Sequence, residues 1–426
     1  MKQIHDVLEY GAIGDGAAMD TLSIQTAIDA CEDKGGIVLL GGRRTFRAGT
    51  LFLKKHVTLR IENGSALKAS DNIGDFEHKA FLYAKEQPGI RVEGGGIIDG
   101  NQEAFLKNVT RYHKSGIEGR PWMFCLDSCD NLTFCDITLQ NAPAWTLHIV
   151  GCKNVLIHGI RINNDLAMAN SDGIDIDHCR NVTVTGCHIS CADDCIVVKN
   201  TRARKDYGPC ENIIVTGCTM TSTSAAFKIG SETVSDFKRI IVADCIVTRT
   251  NRALGIQLRD EGNVEDVVFR NIIIETRRFY DRYWGKAEPI YITALSRDGS
   301  RPSGGVKNVS CSNIIARSEN GIYLHGEKNH GEYNISDVEL RDIRLRVYKE
   351  SKWQGGIYDP RPSTICNTQL WEEGNHWSPG LIYTQTNGVF VKGVKGISLH
   401  NVSVSWEGTE EYYGEDFHYE DSDDII

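Results

Sequence analysis

The sequence predicts an all-β chain folded as a right-handed parallel β-helix, with a capping helix at its N-terminal end. Short strand-like units recur along the chain, they align on one column of apolar residues, and their spacing is nearly constant. Each unit resembles Asn-Val-Thr-Val-Thr-Gly-Cys, in which apolar and polar residues alternate as in a β-strand. The units span residues 131–137, 154–160, 181–187, 212–218, 239–245, 266–272, 308–314, 337–343 and 396–402.

The last residues of the units form the column, which recurs roughly every 23 to 31 residues where no long insertion intervenes. The column contains Ile137, Ile160, Cys187, Cys218, Cys245, Ile272, Ile314 and Ile343. One coil cannot bury its own inner face, whereas stacked coils place like residues on like residues about 4.8 Å apart. We therefore expect a solenoid with an apolar interior.

The ends of the chain and one insertion differ from the repeat. An N-terminal cap of about residues 1–50 includes a predicted helix at 20–34, stopped by two glycines. A long loop insertion is predicted at about 348–388, and the acidic tail at 420–426 is predicted to be frayed. No linker-like change in composition divides the chain, so we expect a single β-helix domain over 1–426.

Composition limits the class of protein and its partners. The chain has 426 residues, 24% of them charged, and a net charge of −10, so it can bury a sizeable core and is not a disordered chain. An acidic chain is not expected to bind nucleic acid or a membrane surface through bulk charge. No stretch approaches the roughly 18 apolar residues of a membrane span.

The N-terminus and the cysteines predict the compartment. The first residues contain no apolar signal core, so we expect a cytoplasmic protein, or a secreted one if a leader has been removed. The 14 cysteines are then predicted to be buried, reduced thiols and not disulfides.

Three aspartates lie in two short sequence motifs. The motif Asn-Ser-Asp-Gly at 170–173 supplies Asp172, and Ala-Asp-Asp-Cys at 192–195 supplies Asp193 and Asp194. Asp172 and Asp194 are about one coil apart, whereas Asp193 reaches the same surface only if the backbone turns within the pair. Such carboxyl groups can hold a proton and a water on opposite sides of a glycosidic bond. The blocks predict acid–base hydrolysis, and the alternative is that these aspartates only cap turns.

Further ordered motifs extend along nearly the whole chain. They are Tyr-Gly-Ala-Ile-Gly-Asp-Gly at 10–16, Ala-Trp-Thr-Leu-His at 144–148, Ile-Gly-Ser-Glu at 229–232, Trp-Gly-Lys-Ala-Glu-Pro-Ile at 284–290 and Asp-Pro-Arg-Pro at 359–362. Together with the aspartate blocks they resemble glycoside hydrolase family 28, the polygalacturonase-like enzymes with a pectin-lyase-like β-helix.

The resemblance implies an inverting hydrolase of α-glycosidic bonds in pectin-derived or related oligosaccharides. It implies that Asp193 is the general acid, while Asp172 and Asp194 hold and deprotonate the attacking water. Inversion is expected to need about 6.5 to 9.5 Å between the carboxyl groups, and close carboxylates are expected to raise at least one pKa. No cofactor and no metal ion are expected.

Two elements of the family pattern are missing. Ser-Ala-Ala at 224–226 replaces the family's Gly-His-Gly, and Gly-Ile-Gln at 255–257 replaces the Arg-Ile-Lys that clamps a substrate carboxylate. Lys228 and Arg259 lie nearby in sequence, and Arg259 shares a strand face with Gln257. A displaced basic site is one hypothesis, and a substrate other than polygalacturonate is the other.

Eight residues are candidates for substrate binding. His148, about one coil before Asp172, could replace the missing histidine, or it could be a solvated surface residue. Lys199 and Glu232 could equally balance charge, and Trp284 lies in an insertion whose aromatic rings could stack on sugars. The eight are His148, Lys199, Lys228, Glu232, Gln257, Arg259, Trp284 and Glu288.

Two rival classes stay open. A β-helix lyase would hold Ca²⁺ with the aspartates, but the sequence shows no extra acidic cluster that would complete the roughly six to eight oxygen ligands. A non-catalytic carbohydrate-binding β-helix would not need all three aspartates. For a cytoplasmic hydrolase we expect exo action on oligosaccharides, with the loops at 104–120 and 351–379 closing one end of the cleft.

Overall fold

The alternating repeat units form strands that stack in parallel in the computed structural model. The structure describes residues 3–32, 34–280, 285–297, 299–360 and 381–426. Residue contacts divide the chain into two compact units, 1–193 and 194–426. Each unit consists of coils of a right-handed parallel β-helix, which confirms the predicted fold class. The single domain over 1–426 stays a prediction.

A residue in the left-handed conformation lies near the start of most repeat units. Eight of these residues have φ between 54° and 60°, a conformation that Asn and Asp tolerate better than other non-glycine residues. They are Asn131, Asn154, Asn181, Asn212, Arg239, Asp266, Asn308 and Asp337. The recurrent Asn is therefore a corner residue. Its side chain also links coils, since Asn181 Nδ2 donates to Asn154 Oδ1 at 3.0 Å.

The predicted apolar column lies inside the coils. All eight of its residues are at most 1% exposed, and Ile314 lies directly between Ile272 and Ile343 on neighbouring strands. Burial of one isoleucine side chain stabilises the fold by about 1.5–3 kcal/mol. A register slip of one residue would turn the whole column outward, so the column fixes the register.

The first unit contains two parallel sheets, one antiparallel hairpin and the helices. Its larger sheet has strands Ile4–Asp6, Asp15–Met19, Gly36–Leu40, Thr45–Ala48, Val57–Ile61, Ala66–Ala69, Arg91–Glu93, Ile97–Asp99, Asp130–Cys135, Thr138–Gln140, Lys153–His158, Arg161–Asn163, Arg180–Thr185 and His188–Cys191. Its smaller sheet has strands Leu51–Phe52, Ala80–Lys85, Trp122–Asp127, Leu147–Val150 and Ile174–Asp177. The hairpin pairs Leu106–Val109 with Lys114–Gly116, and the 3₁₀ helices are Val7–Tyr10, Ile73–Asp75 and Gln102–Phe105.

The second unit repeats this arrangement. Its larger sheet has strands Cys210–Thr216, Thr219–Ser222, Phe237–Ala243, Ile246–Thr250, Val264–Thr276, Val306–Ser318, Ile335–Val347, Lys395–Trp406 and Asp423–Ile425. Its smaller sheet has strands Ile196–Asn200, Ala225–Thr233, Arg252–Leu258, Ile290–Ala294, Ile322–His325, Val389–Lys392 and Phe417–Glu420. Two short pairs are Lys328–Asn329 with Glu332–Tyr333 and Ile357–Tyr358 with Ile382–Tyr383, and the 3₁₀ helix is Arg202–Tyr207.

The N-terminal helix spans Thr21–Asp29 and is shorter than the predicted 20–34. Its C-cap is Ala30, and turns follow before the next strand. Asp20 precedes the helix without capping it, because its carboxylate accepts the amides of Ile13 and Gly14 instead. The helix packs against strands of its own unit, as expected for a cap.

The acidic tail is ordered, which corrects the prediction that it frays. Strand Asp423–Ile425 pairs with the preceding coil and places Ile425 opposite the fully buried Ile397. This pairing provides hydrogen-bond partners for the backbone groups at the edge of that coil. In addition, Glu420 forms an ion pair with Lys392. Within the predicted insertion at 348–388, residues 361–380 lie outside the described part of the chain.

The described cysteines are buried thiols, as predicted, and no disulfide joins any two of them. The column thiols interact with one another, since a hydrogen bond with Cys218 and burial raise the pKa of Cys245 far above its ordinary value. Every helix that the structure describes is too short or too polar to cross a lipid bilayer.

Candidate active site

Asp172 lies in a tightly bonded loop of the first unit, two residues before strand Ile174–Asp177. The carbonyl of Ser171 accepts from Asn164 Nδ2 at 3.1 Å, and the same amide nitrogen donates to Thr146 Oγ1 at 2.7 Å. The amide of Thr146 in turn donates to the carbonyl of Asp172 at 3.0 Å. These hydrogen bonds between neutral groups hold the part of the loop next to Asp172, which is only 4% exposed.

Asp193 lies in a bend that brings it to the loop of Asp172. The backbone bends at Ala192 and Asp193, as the sequence required. The amide of Ala192 donates to Ser171 Oγ at 3.2 Å, which ties the two blocks together. Carboxylate oxygens of Asp172 and Asp193 consequently lie within 4.8 Å of each other.

This nearest-oxygen distance is shorter than the 6.5 to 9.5 Å expected between carboxyl groups. The bond between Ser171 and Ala192 is the physical reason, because it holds the two loops in contact. One water can still bridge the gap, since two O–H···O bonds of about 2.7–2.8 Å span it. Asp194 follows Asp193 directly in the chain.

A hairpin borders the loop of Asp172. Lys114 exchanges backbone hydrogen bonds with Ala167 and Ala169, and its ammonium contacts Asp165 at 2.6 Å. Arg120 donates to the carbonyl of Ala169 and to Asn170 Oδ1, both at 3.2 Å. The predicted loop at 104–120 is therefore an ordered wall attached to the segment that leads into Asp172.

His148 is buried, so the alternative of a solvated surface residue is wrong. Its Nε2 lies 3.3 Å from Asp177 Oδ2. Burial lowers the pKa of His148, but the bond to Asp177, with Cys125 and nearby charges, raises it to about 9. His148 is 5% exposed and meets Trp122 and Trp145 edge-on. The two indoles stack at 5.2 Å.

In the second unit, both oxygens of Asp194 are bonded. Ser224 Oγ donates to Oδ1 at 2.9 Å, and the Lys228 ammonium forms an ion pair with Oδ2. Burial raises the pKa of Asp194, but Lys228, Lys199 and Ser224 offset this effect, so the pKa lies below its usual range. Asp194, 1% exposed, is therefore held as a carboxylate.

Lys228, which pairs with Asp194, lies beside Gly255 at the position of the family's carboxylate clamp. Lys228 and Gly255 are direct neighbours on adjacent strands. A Cβ at Gly255 would lie 3.5 Å from Lys228 Cγ and 3.6 Å from Arg252 Cδ. Two long basic side chains therefore pass over Gly255, where the family pattern has an arginine of its own.

Arg252 is a basic residue that the sequence did not single out. It lies opposite Ala225, the residue aligned with the missing family histidine. Its guanidinium contacts Glu288 at 3.2 Å and lies 3.4 Å from the ring centre of Tyr291. Burial lowers the pKa of Arg252, but Glu288 and Tyr291 raise it above the usual value. A fixed cation thus lies one coil from the histidine position.

The remaining candidates have different surroundings. Glu288 is fully buried, and both its oxygens accept hydrogen bonds within the protein, so we infer a positioning role. Lys199 is 6% exposed and acts on Asp194 through its charge. The charge of Glu232 contributes to raising the pKa of Arg297. Gln257 is 1% exposed, and its Nε2 has no hydrogen-bond partner among the described residues. Trp284 lies outside the described residues.

Sequence reasoning missed Ser224, Arg252 and Trp122. Ser224 lies within the tripeptide that replaces the family histidine, where attention to hydroxyl donors could have found it. Arg252 is recognisable only from the pairing of coils, because the strand register places it opposite Ala225, and Trp122 only from its ring contacts with Trp145 and His148. Their positions could not be read from one segment alone.

The chain is similar to known proteins over most of its length. Residues 42–354 match the family described as "Glycosyl hydrolases family 28". A "Probable polygalacturonase" of Vitis vinifera is 24% identical over 304 residues, covering 64% of this chain and 61% of that protein. An "Exo-poly-alpha-D-galacturonosidase" of Dickeya chrysanthemi is 23% identical over 335 residues, covering 64% of this chain and 55% of that protein. The chain thus spans little more than half the length of these two relatives.

A solved structure supports the fold assignment. The "Family 28 Exopolygalacturonase" of Yersinia enterocolitica superposes with a TM-score of 0.74 at 16% identity, over 100% of this chain and 78% of that one. At this identity the likeness concerns the fold alone. The match of the family pattern covers more than half of the chain. The chain therefore belongs to glycosyl hydrolase family 28.

Proposed function

We propose that the chain is an inverting glycosidase that cleaves α-glycosidic bonds in pectin-derived or related oligosaccharides. The observation that carries the proposal is the environment of Asp194, a buried carboxylate kept ionised by Lys228 and Ser224. Its chain neighbour Asp193 lies within 4.8 Å of Asp172. A carboxyl that is held ionised can act as base while a neighbouring carboxyl acts as acid.

In the proposed reaction, Asp193 gives its proton to the glycosidic oxygen as the bond from the anomeric carbon to that oxygen breaks. A water held by Asp172 and Asp194 attacks the anomeric carbon from the opposite face, and its proton passes to one of these carboxylates. The leaving sugar carries the proton of Asp193, and the new reducing end carries the oxygen of water. Solvent returns the proton to Asp193 after product release.

We further propose exo action. The wall formed by Lys114 and Arg120 against the loop of Asp172 supports this idea, because a wall beside a catalytic loop limits how far a chain extends past it. One similar protein is named as an exo-acting enzyme. Chain-length analysis of the products tests the proposal. Single sugars released from the first moments support it, and mixed oligomers contradict it.

A cytoplasmic location is also proposed. The described cysteines are buried thiols without disulfides, which suits a reducing compartment. Cell fractionation with a marker enzyme for each compartment tests this proposal, and recovery in the medium contradicts it.

A panel of α-glycosides and pectic oligosaccharides, with and without EDTA, tests the reaction class. The proposal expects new reducing ends, no new ultraviolet absorbance and no effect of EDTA. Ultraviolet absorbance that EDTA abolishes would identify a lyase, in which Ca²⁺ bound by the aspartates takes part. Binding of oligosaccharides without any product would identify a carbohydrate-binding protein.

A further inference from the structure

Cys125 and His148 are direct neighbours on adjacent strands of the smaller sheet in the first unit. Phe124 and Leu126, which flank Cys125 in the chain, are fully buried in the core, so Cys125 points to the opposite face of the sheet. On that face it lies between His148 and the half-buried Tyr83 of the preceding coil. The thiol of Cys125 therefore lies on the outer face of the coils, whereas the thiols of the apolar column lie inside them.

One ring nitrogen of His148 is left for this thiol. Nε2 lies 3.3 Å from Asp177 Oδ2, whereas Nδ1 is buried and has no hydrogen-bond partner in the described part of the chain. Burial lowers the pKa of His148, but interactions with Asp177 and Cys125 raise it to about 9, so the ring is an imidazolium at neutral pH. A buried N–H group without an acceptor is costly. A cation that is only 5% exposed, with an unsatisfied donor, therefore lies beside the thiol.

An imidazolium beside a thiol favours the thiolate, which is the form that reacts with electrophiles. Two carboxylates also lie near the ring, but on strand Ile174–Asp177, beyond it. Asp175 is directly opposite His148 on that strand, and Asp177 is bonded to Nε2. Because the strand of His148 lies between the strand of Cys125 and the strand of both carboxylates, the ring separates the thiol from these negative charges.

Cys135 provides an internal comparison. It is 6% exposed, against 5% for Cys125, and it also lies directly opposite a histidine, His158. His158 is exposed to solvent, however, and burial and Glu93 raise the pKa of Cys135 although Arg91 opposes them. The other cysteines that the structure describes are at most 1% exposed. Access is therefore nearly equal for the two thiols, while their surroundings favour the thiolate only at Cys125.

We propose that Cys125 is a modification site that forms mixed disulfides with low-molecular-weight disulfides, and that the neighbouring His148 activates its thiol. Cys125 first loses its proton to solvent. Its thiolate sulfur then attacks one sulfur of the small disulfide, so that a new S–S bond forms as the S–S bond of the reagent breaks. The other half of the reagent leaves as a thiolate and takes up a proton from solvent. The small disulfide is thus the oxidant, and an added thiol reverses the step.

Treatment of the folded protein with bis(2-hydroxyethyl) disulfide at neutral pH, followed by peptide mass spectrometry, locates the reactive thiol. Cys366 lies outside the described residues, so a parent chain with Cys366→Ser removes it from the measurement. Cys125 is expected to react roughly tenfold faster than Cys135. His148→Gln removes the positive charge and should slow modification of Cys125 roughly tenfold. The matched control His158→Gln changes the histidine opposite Cys135 and should leave the rate at Cys125 unchanged.

Modification of Cys135 or another cysteine of the parent chain at least as fast as Cys125 would overturn the proposal, as would an unreactive Cys125. An unchanged or higher rate at Cys125 in a folded His148→Gln variant would contradict activation by the imidazolium. Loosened packing would expose the thiol and speed its reaction, so a purely structural role of His148 gives the opposite sign. Circular dichroism shows whether His148→Gln folds, and the comparison of Cys125 with Cys135 in the parent chain decides the proposal if it does not.

Discussion

The loops around Asp172 and Asp194 are held by different chemistry. In the first unit, Ser171 and Asn164 fix the loop through neutral hydrogen bonds. In the second unit, Asp194 accepts from an ammonium and a hydroxyl. The bonds of Ser171 hold the backbone of its loop, whereas the ammonium and the hydroxyl hold the carboxylate of Asp194 itself and favour its ionised form. The surroundings of Asp194 therefore suit a carboxyl that stays charged during the proposed reaction.

The largest expected effect is on catalysis. Asp193→Asn removes the proposed acid while keeping nearly the same shape, so kcat should fall roughly 100- to 10,000-fold. The exposed Asp206→Asn is the matched control and should leave kcat unchanged. Steady-state kinetics and circular dichroism on both variants provide the measurement. Full activity of a folded Asp193→Asn variant would contradict the division of roles.

The next effect is on stability in the second unit. Lys228→Met leaves Asp194 buried without its ammonium, which should cost about 3–5 kcal/mol in the free energy of unfolding at neutral pH. The pKa of Asp194 is lowered in the native state, so the ion pair stabilises above the unfolded pKa of about 3.9 and is lost as the pH falls through the native pKa. The difference between variant and wild type should therefore narrow below about pH 4.

Urea unfolding at several pH values measures this difference. The exposed Lys307→Met is the control, with an expected change below about 1 kcal/mol. A deficit for Lys228→Met that stays constant into acid would show that Lys228 acts by packing and not by charge.

In the first unit, the stabilisation contributed by His148 is expected to be lost as the pH rises, which is opposite in sign to the effect at Asp194. The pKa of His148 is about 9 in the native state and about 6.5 when unfolded. Its ion pair with Asp177 therefore stabilises fully below pH 6.5, on the order of 3 kcal/mol, and this contribution is lost as the pH rises through 9. His148→Gln should be destabilised at pH 6, and the deficit should shrink by pH 10.

Thermal unfolding of His148→Gln across this range, beside the exposed His158→Gln, checks the prediction. An equal deficit at pH 6 and pH 10 would mean that His148 is neutral in the folded chain.

The smallest effect is expected at the clamp position. A Cβ at Gly255 would meet Lys228 and Arg252 at ordinary contact distances, so Gly255→Ala should change stability by less than about 1 kcal/mol. Urea unfolding measures it. A loss above about 2 kcal/mol would show that the two basic side chains cannot move aside for a methyl group.

The fold and the proximity of Asp172 and Asp193 could be predicted because they depend on local patterns. The alternation and spacing of apolar residues predict the strands and the buried apolar column that includes Ile314. Asp193, which precedes Asp194 directly, needs only a backbone bend to reach the loop of Asp172. The partners of the aspartates depend on which residues meet between coils. Lys228 contacts Asp194 because of the strand register between neighbouring coils, which depends on loop lengths. This register cannot be read from the sequence.

Contacts beyond the local sequence also explain why the tail and the N-terminal helix differ from their predicted forms. The tail at 420–426 is acidic, which favoured fraying, but the open edge of the preceding coil provides backbone partners that composition does not reveal. The helix ends at Asp29 because tertiary packing and the following turn determine its length more than its sequence pattern does.

Inversion at the anomeric carbon is the outcome that the proposed roles of Asp172, Asp193 and Asp194 require. Proton NMR during hydrolysis of the best α-glycoside from the substrate panel tests it most directly, because it detects the anomer before mutarotation. We expect the β-anomer to appear first and the α-anomer to follow by equilibration. Initial appearance of the α-anomer would contradict direct attack by water and would indicate a covalent intermediate.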